Sequence, residues 1–424
     1  MQQSICVLGR QPAIGRAELE SLYNPELLEP IGSVGVLCAM PSSDVAFARL
    51  GGSIKLCDVL EIVPSTDWRQ LQQAVIAAGV RLAKDIPEGK IQLGLSAYDL
   101  RVSTRQLTAG GLELKKALRK AGHSVRLVQN QELTLNSAQV IHNHLTGERG
   151  IELVLVRRGN QTILARTVTE QDIEAYTERD RGRPKRDARV GMLPPKLAQI
   201  IINLATSSTP PDVDFTLLDP FCGTGVILQE ALLMGYSAYG TDLEQRMIDY
   251  TQANLDWLNE KTTGSAGGDP GGTPSTRSFS EHDGGNWIDR TREKAGTPLE
   301  IGDATAHLWE KSKINAVACE TYLGQPYVSL PDRAKLDANI RTCNLILEKF
   351  LKNIGGQIAS GTRLCLAVPA WQTKPDQFKH LPLLDHLSDL GYNRIDFKYA
   401  RDSELVYYRS DQIVARELLV ITRK

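Results

Sequence analysis

The sequence predicts an α/β protein in which a mostly parallel sheet, covered by helices on both faces, follows a smaller α+β region. Two observations predict this class. Long apolar strands alternate with helices from Pro195 onward, and short strands and helices alternate through the first half. A length of 424 residues exceeds what one compact core normally organises, so we expect two or three domains.

Composition and charge exclude several classes of protein. Hydrophobic residues make up 42% of the chain and charged residues 23%, which excludes a chain disordered throughout. No apolar run reaches the roughly 18 residues of a membrane span, and residues 1–10 lack the pattern of a signal peptide, so a cytoplasmic protein is expected. Seven scattered cysteines form no CxxC pair, so neither a disulfide framework nor a metal site is predicted.

The first 168 residues are predicted to form two α+β modules, residues 1–65 and 66–168. The Gly159-Asn160 pair separates two β-rich runs and predicts a hairpin. The expected strands and helices are Ser4–Leu8, Pro12–Leu22, Val34–Ala39, Ile54–Ile62, Ile91–Leu95, a basic helix ending at Gly122, Val125–Gln129, Ser137–Leu145, Ile151–Arg158 and Gln161–Val168.

Basic side chains concentrate in the second module. Residues 1–195 hold 25 Lys and Arg against 21 Asp and Glu (+4), and residues 196–424 hold 24 against 29 (−5). Residues 101–126 carry seven basic side chains against one acid, and the expected core face of their helix is Leu114, Ala117, Leu118 and Ala121. A solvated surface is one interpretation of the basic face, and phosphate contact is the other. The candidates for phosphate contact are Arg105, Lys115, Lys116, Arg119 and Lys120.

The second half begins after a charged linker at residues 169–194. Residues 195–424 are expected to form one domain with a parallel sheet. Within it, residues 262–298 are rich in Gly, Ser, Thr and Pro and lack periodicity, so we expect a mobile insertion there. The expected strands are Phe215–Asp219, Ser237–Asp242, Leu299–Asp303, Ile314–Glu320, Arg363–Val368, Arg394–Tyr399 and Val414–Thr422.

A glycine-containing turn marks the candidate cofactor site. It follows an apolar strand and opens a helix, so its backbone can approach a ligand closely and the helix offers free N–H groups. Asp242 lies about 20 residues later at the end of the next expected strand, where a carboxylate can accept both ribose hydroxyls. The turn lacks the G-x-G-x-x-G of pyrophosphate sites, which favours a cofactor without a pyrophosphate. Its residues are Asp219, Pro220, Phe221, Cys222, Gly223, Thr224 and Gly225.

This turn, DPFCGTG, resembles the S-adenosylmethionine loop of the Rossmann-like methyltransferases that modify amino groups of nucleic acids. The resemblance implies that Asp219 lies near the methionine end of the cofactor and that Asp242 binds its ribose. It also implies that Asp303, in IGDAT, contacts the adenine. It implies a seven-stranded methyltransferase domain and S-adenosylmethionine as the cofactor.

The stretch from Leu93 to Thr146, LGLSAYDLRVSTRQLTAGGLELKKALRKAGHSVRLVQNQELTLNSAQVIHNHLT, together with the hairpin after it, resembles a THUMP RNA-binding domain preceded by a ferredoxin-like module. The segment from Tyr176 to Ala205, YTERDRGRPKRDARVGMLPPKLAQIIINLA, resembles the one that joins THUMP and catalytic domains in tRNA guanine-N2-methyltransferases acting at tRNA position ten. The resemblance covers most of the chain outside residues 262–298. It implies tRNA as the partner, with THUMP docking the tRNA before a guanine in its body is methylated.

The acceptor-base motif departs from the pattern of this family. The family places an Asp-Pro-Pro-Tyr-type tetrapeptide after the fourth strand, where the acid and a carbonyl accept hydrogen bonds from the amine and the aromatic stacks on the base. This chain has Glu320, Thr321, Tyr322 and Leu323 at the matching place. Glu320 keeps the acceptor chemistry with a longer side chain, and the loss of two prolines loosens the turn. Tyr322 or Tyr327 supplies the stacking face.

The sequence therefore predicts an S-adenosylmethionine-dependent tRNA guanine-N2-methyltransferase with Glu320 and Tyr322 as its catalytic residues. Two alternatives differ from this hypothesis. One is a non-catalytic tRNA-binding protein or accessory subunit that keeps the fold. The other is an amino-group methylase acting on another RNA or DNA base. Nothing in the sequence identifies an activating subunit or decides between mono- and dimethylation.

Overall fold

A computed structural model describes residues 2–187, 192–211, 214–264, 297–309, 314–327, 329–374, 377–409 and 412–424. The chain divides into two compact units. The first contains Met1–Arg16, Tyr23–Ala48 and Gly52–Ile173, and the second contains Ala17–Leu22, Arg49–Gly51 and Glu174–Lys424. Among the helices that the structure describes, none has the length and apolar character needed to cross a bilayer.

The first unit is built on one eight-stranded sheet in the order β2-β3-β1-β4-β8-β7-β5-β6. Strands from both predicted modules join this sheet, and the division at residues 65/66 stays a prediction. The elements are β1 (Ser4–Leu8), α1 (Pro12–Leu22, whose last six residues belong to the second unit), β2 (Leu28–Ile31), β3 (Gly35–Cys38), β4 (Ser53–Val63), α2 (Trp68–Ala83), β5 (Lys90–Tyr98), α3 (Thr104–Lys120), β6 (Ser124–Leu127), α4 (Ser137–His142), β7 (Gly150–Arg158) and β8 (Gln161–Glu170).

The hairpin predicted at Gly159-Asn160 is confirmed. Arg158 pairs with Gln161 at the end of the β7–β8 ladder, so two residues make the turn. Gly159 has a φ of +60°, a backbone conformation that glycine adopts without steric cost and that two-residue hairpin turns require.

The helix α3 carries the basic face. A capping box begins it, because the Ser103 hydroxyl accepts from the Gln106 N–H while the Gln106 side chain accepts from the Ser103 N–H. Leu114 and Leu118 are buried as expected, and Ala117 is half-buried. The prediction for Ala121 is wrong: it is the C-cap residue of α3 and is exposed, because no described element covers the helix end there.

The second unit contains a nine-stranded sheet with helices packed against it. Its elements are α5 (Ile173–Thr177, which begins at the last residue of the first unit), α6 (Pro195–Thr206), β9 (Thr216–Asp219), α7 (Val226–Leu233), β10 (Ser237–Asp242), α8 (Gln245–Gly264), β11 (Leu299–Ile301), β12 (Ala316–Glu320), α9 (Arg333–Gly355), β13 (Arg363–Lys374), β14 (Gln377–Lys379), β15 (Tyr392–Arg394), β16 (Val406–Tyr407) and β17 (Val414–Arg423).

This sheet runs in the order β11-β10-β9-β12-β13-β17-β15, with β14 paired to β13 and β16 to β17. The strands from β11 to β13 are parallel, and β17 and β15 close the sheet antiparallel. Val317 and Cys319 of β12 face the core cluster that Leu347 and Phe350 of α9 fill. The α/β class and the Rossmann-like sheet of the second half are therefore confirmed.

Two regions of the second half were predicted to be a strand and a mobile insertion. The strand expected at Arg394–Tyr399 is wrong, since β15 ends at Arg394. The N–H groups of Lys398 and Tyr399 instead donate to the carboxylate of Glu20, at 2.6 and 2.7 Å. The insertion predicted at residues 262–298 lies mostly outside the described residues, although its first three residues extend α8.

Candidate active site

The turn between β9 and α7 adopts the conformation that its glycines permit. Gly223 and Gly225 have φ values of +52° and +80°, both in the left-handed region that side chains disfavour. A Cβ on Gly225 would lie 2.8 Å from Cγ2 of Thr251. The Thr251 hydroxyl also donates to the Gly223 carbonyl at 2.9 Å. Helix α8 therefore fixes the turn that opens α7.

Asp242, at the end of β10, binds this turn through its carboxylate. Its Oδ2 accepts from the Gly223 N–H at 2.9 Å, and its Oδ1 accepts from the Glu244 N–H at 3.0 Å. Burial raises the pKa of Asp242, and these backbone N–H groups oppose the rise. Each oxygen keeps a lone pair for a further donor.

Asp219 is 2% exposed, and its Oδ1 accepts from the Phe221 N–H at 3.1 Å. Burial raises the pKa of Asp219 well above its usual range, and the negative charges of Asp242 and Glu320 add to the rise. Burial likewise raises the pKa of the neighbouring Cys222 thiol, which keeps this sulfur protonated and unreactive. The Thr224 carbonyl accepts from the Asn254 side chain at 2.8 Å.

The strand register places the three acids on one face of the sheet. Asp219 pairs with Gly240, two residues before Asp242. The β9–β12 pairing of Leu218 with Val317, extended by one residue, sets Asp219 opposite Ala318, two residues before Glu320. Because side chains alternate between faces, residues two apart point the same way. Asp219, Asp242 and Glu320 therefore project from one face at the carboxyl ends of adjacent parallel strands, where ligands bind in such sheets.

Asp303 follows β11 and is exposed. Its Oδ1 accepts from both the N–H and the hydroxyl of Thr305, at 2.9 and 2.8 Å. These hydrogen bonds lower the pKa of Asp303, so it is ionised at neutral pH. The Gly302 N–H donates to the Asp242 carbonyl at 2.9 Å, which fixes this loop beside β10.

Glu320 ends β12, and its side chain is 14% exposed. Its Oε1 accepts from Nε of Arg416, which lies on β17 and is itself 8% exposed. Sequence patterns gave no sign of Arg416, because it lies 96 residues away in an ordinary strand. Only the sheet topology brings the two charges together.

The turn after Glu320 is tied down although it lacks prolines. The Thr321 N–H donates to the Ala367 carbonyl at 3.0 Å, and the Gln325 N–H donates to the Asn339 side chain at 3.2 Å. Tyr322 is 40% exposed, whereas Tyr327 packs partly against the core. Tyr322 is thus the tyrosine that offers an open ring face beside Glu320.

The residues predicted to contact phosphate lie on the surface of α3. Arg105, Lys116, Arg119 and Lys120 are exposed, and Lys115 is half-buried. Lys116 forms an ion pair with Glu113 at 2.7 Å, which reduces the net charge it presents. In the part of the chain that the structure describes, no group of three His, Cys, Asp or Glu is placed to hold a metal.

Comparison with known proteins decides the class of this site. Residues 183–266 match the UPF0020 family, described as an RMKL-like methyltransferase domain. This part of the chain is an S-adenosylmethionine-dependent methyltransferase domain. The match covers the DPFCGTG turn, Asp242 and all of α8, so the methyltransferase prediction and its cofactor are confirmed.

Curated relatives carry names that agree with the predicted resemblance. A tRNA (guanine(10)-N2)-dimethyltransferase of Methanothermobacter thermautotrophicus is 45% identical over 65 residues, 15% of this chain and 18% of that protein. One from Methanocaldococcus jannaschii is 28% identical over 141 residues, 33% of this chain and 36% of that protein. The chain thus spans between a fifth and about a third of the length of these relatives. The crystal structure of TrmN from Thermus thermophilus is 16% identical, with both chains fully covered and a TM-score of 0.49.

The residues of the methyltransferase domain fit S-adenosylmethionine. The glycines of the turn leave its backbone open to a ligand, and Asp242 keeps acceptor capacity for ribose hydroxyls. Leu243, next to Asp242, is 68% exposed, and such an apolar side chain suits contact with an adenine ring. Leu243 was not among the residues predicted from the sequence, where its signal is an apolar residue directly after Asp242.

Proposed function

We propose that this chain methylates the exocyclic N2 of a guanine in tRNA. The observation that carries the proposal is the shared face of Asp219, Asp242 and Glu320 at the carboxyl ends of β9, β10 and β12. Two of these acids suit the cofactor, and the third lies where an acceptor amine would meet it. The names of the curated relatives support guanine in tRNA as the substrate.

Each of the proposed cofactor residues contacts a different part of S-adenosylmethionine. Asp242 holds the ribose hydroxyls, Leu243 and Asp303 contact the adenine, and Asp219 lies near the methionine end of the cofactor. Cys222, within the turn, accepts from the Thr251 hydroxyl at 3.8 Å, and its raised pKa keeps its thiol protonated. When bound, S-adenosylmethionine supplies a methyl group on a sulfonium, and its sulfur leaves as a neutral thioether.

Glu320 acts on the acceptor amine. Its carboxylate accepts a hydrogen bond from the amino group, which localises the nitrogen lone pair and directs it at the methyl carbon. As the new N–C bond forms, the nitrogen sheds one proton, which Glu320 takes and releases to solvent. Tyr322 stacks on the unstacked guanine and holds it in the cleft.

The first unit docks the tRNA in this proposal. Its fold is of the THUMP type preceded by a ferredoxin-like module, and α3 contacts phosphates through Arg105, Lys115, Lys116, Arg119 and Lys120. A-form RNA presents mainly its backbone and shape to proteins, which suits an array of positive charges. The proposal includes a cytoplasmic location, where a tRNA substrate is available.

Methyl transfer tests the proposal directly. Purified protein is incubated with labelled S-adenosylmethionine and unmodified bulk tRNA, and the labelled nucleoside is identified by mass spectrometry. We expect N2-methylated guanosine. Glu320→Gln, which keeps the shape but removes the charge, should lower the rate by about 100-fold or more, with cofactor and tRNA affinities retained. Detection of a methylated adenosine would contradict the assignment of guanine as the substrate. Equal rates for the wild type and Glu320→Gln would refute the role of Glu320.

Charge reversal on α3 tests the docking surface. Arg119→Glu and Lys120→Glu together should weaken tRNA binding by roughly tenfold or more and reduce the salt dependence of affinity, because fewer counterions are released. Arg333→Glu and Lys335→Glu are a matched control, since both residues are exposed on α9 and have no proposed role. If the two double variants bind tRNA equally, α3 is an ordinary solvated face.

A further inference from the structure

Arg416 is the side chain that holds Glu320. It lies on the antiparallel strand β17 and is 7% exposed, yet its Nε reaches the Glu320 Oε1 on β12. The strand β13 separates the two. A buried arginine that spans one strand to reach a single carboxylate needs a structural explanation.

The register of the sheet supplies the path. Arg416 pairs with Pro369, and Glu320 pairs with Ala367. Pro369 and Ala367 are two residues apart on β13, so all four side chains lie on one face. The small side chain of Ala367 and the compact ring of Pro369 leave room for the arginine to cross β13 toward the carboxyl end of β12.

The contact occupies one oxygen of Glu320. Among the described residues, the Oε1 contact with Arg416 is the hydrogen bond that this carboxylate makes. Its second oxygen therefore remains available to an incoming donor, and the partial exposure of the side chain gives that donor access. The carboxylates of Asp219 and Glu320 also repel each other, and the guanidinium offsets this repulsion.

We propose that Arg416 is a positioning residue for methyl transfer, which fixes one oxygen of Glu320 so that the other meets the acceptor amine. This inference rests on the proposed function. An unrestrained Glu side chain has three rotatable bonds and loses entropy when it is ordered. Holding it in advance removes that loss from the reaction step and keeps the acceptor oxygen in place.

The pair also compensates for the altered motif. Glu320 reaches one methylene further than an aspartate, and the following turn has no proline to stiffen it. Hydrogen bonds from Thr321 and Gln325 to Ala367 and Asn339 hold the backbone of the turn. Arg416 holds the longer side chain. A side-chain ion pair thus supplies restraint to an acid that the turn alone would leave mobile.

Steady-state kinetics of methyl transfer to bulk tRNA tests this role. Arg416→Gln should lower kcat by about 100-fold, while the KM values for tRNA and cofactor change by about twofold or less. Arg416→Lys keeps the positive charge but lacks the planar guanidinium. It should recover part of the rate. Free guanidinium ion should partly restore Arg416→Ala. These restorations are specific to a missing guanidinium and would not follow from a general loss of packing.

Arg394→Gln is the matched control. Arg394 lies in the same sheet and pairs with Asp402 at 2.7 Å and with Glu417 at 3.8 Å, so its loss removes ion pairs without touching Glu320. Calorimetry of cofactor binding and thermal denaturation show whether each variant is folded. If Arg416→Gln does not fold, the kinetics are measured on Arg416→Lys instead. Wild-type kcat in Arg416→Gln, wild-type kcat in Arg416→Ala without added guanidinium, or an equal loss in Arg394→Gln overturns the inference alone. Failure of the wild type to methylate tRNA overturns the proposed function and the inference with it.

Discussion

Asp242 and Glu320 are carboxylates on one face of the same sheet, but different groups hold them. Asp242 accepts from two backbone N–H groups, those of Gly223 and Glu244. Glu320 contacts the Arg416 side chain from another strand. The cofactor end of the site is therefore fixed by a local turn, and the acceptor end is fixed by a contact between distant strands.

This difference explains why one end follows a recognisable motif and the other does not. When backbone N–H groups hold a carboxylate, the glycines and the acid must stand at fixed spacings in the sequence. Only such spacings let the N–H groups reach the carboxylate. A side-chain-held acid requires only that some strand bring a cation within reach. The motif can then change, as it has at Glu320, while the carboxylate remains ordered.

The largest expected effect tests the backbone-held acid. Asp242→Ala removes the proposed acceptor for the ribose hydroxyls and leaves the Gly223 and Glu244 N–H groups without the carboxylate that accepts from them. Hydrogen bonds to a charged group contribute about 1.5–3 kcal/mol, so the dissociation constant of S-adenosylmethionine should rise by roughly 10- to 150-fold. Isothermal calorimetry measures this change.

Glu320→Ala is the comparison for the same measurement. It lies at the acceptor end and should leave cofactor affinity within about twofold of wild type, because S-adenosylmethionine has no proposed contact with it. If both substitutions weaken cofactor binding equally, the two ends of the site are not separate. The assignment of Glu320 to the acceptor amine is then wrong.

Local signals in the sequence predicted the parts of the fold that local chemistry determines. The hairpin at Gly159-Asn160 and the strand-turn-helix around Gly223 depend on neighbouring residues, and both are present. The strand predicted at Arg394–Tyr399 failed because the Glu20 carboxylate, far away in the chain, takes the N–H groups that a strand would use. The Arg416 contact was missed for the same reason: no short pattern encodes a partner 96 residues distant.

The smaller prediction concerns the backbone of the cofactor turn. Gly225 and Gly361 have nearly equal φ values, +80° and +84°, but only Gly225 has a close neighbour for an added Cβ. Thr251 Cγ2 would lie 2.8 Å from it, whereas nothing lies within 4 Å at Gly361. The two positions therefore separate backbone strain from steric overlap.

Both Gly→Ala substitutions should lose about 1–2 kcal/mol of unfolding free energy from the left-handed backbone. Gly225→Ala should lose a further ~1–3 kcal/mol from overpacking against Thr251, and denaturant unfolding measures both. Thr251→Ser removes the clashing methyl while keeping the hydroxyl that donates to Gly223. Added to Gly225→Ala, it should recover part of the overpacking loss, because the retained hydroxyl oxygen lies 3.0 Å from the added Cβ. The backbone loss should remain. Equal destabilisation at Gly225 and Gly361 would mean that α8 does not fix the turn, and Asp242 alone would then hold the cofactor end in place.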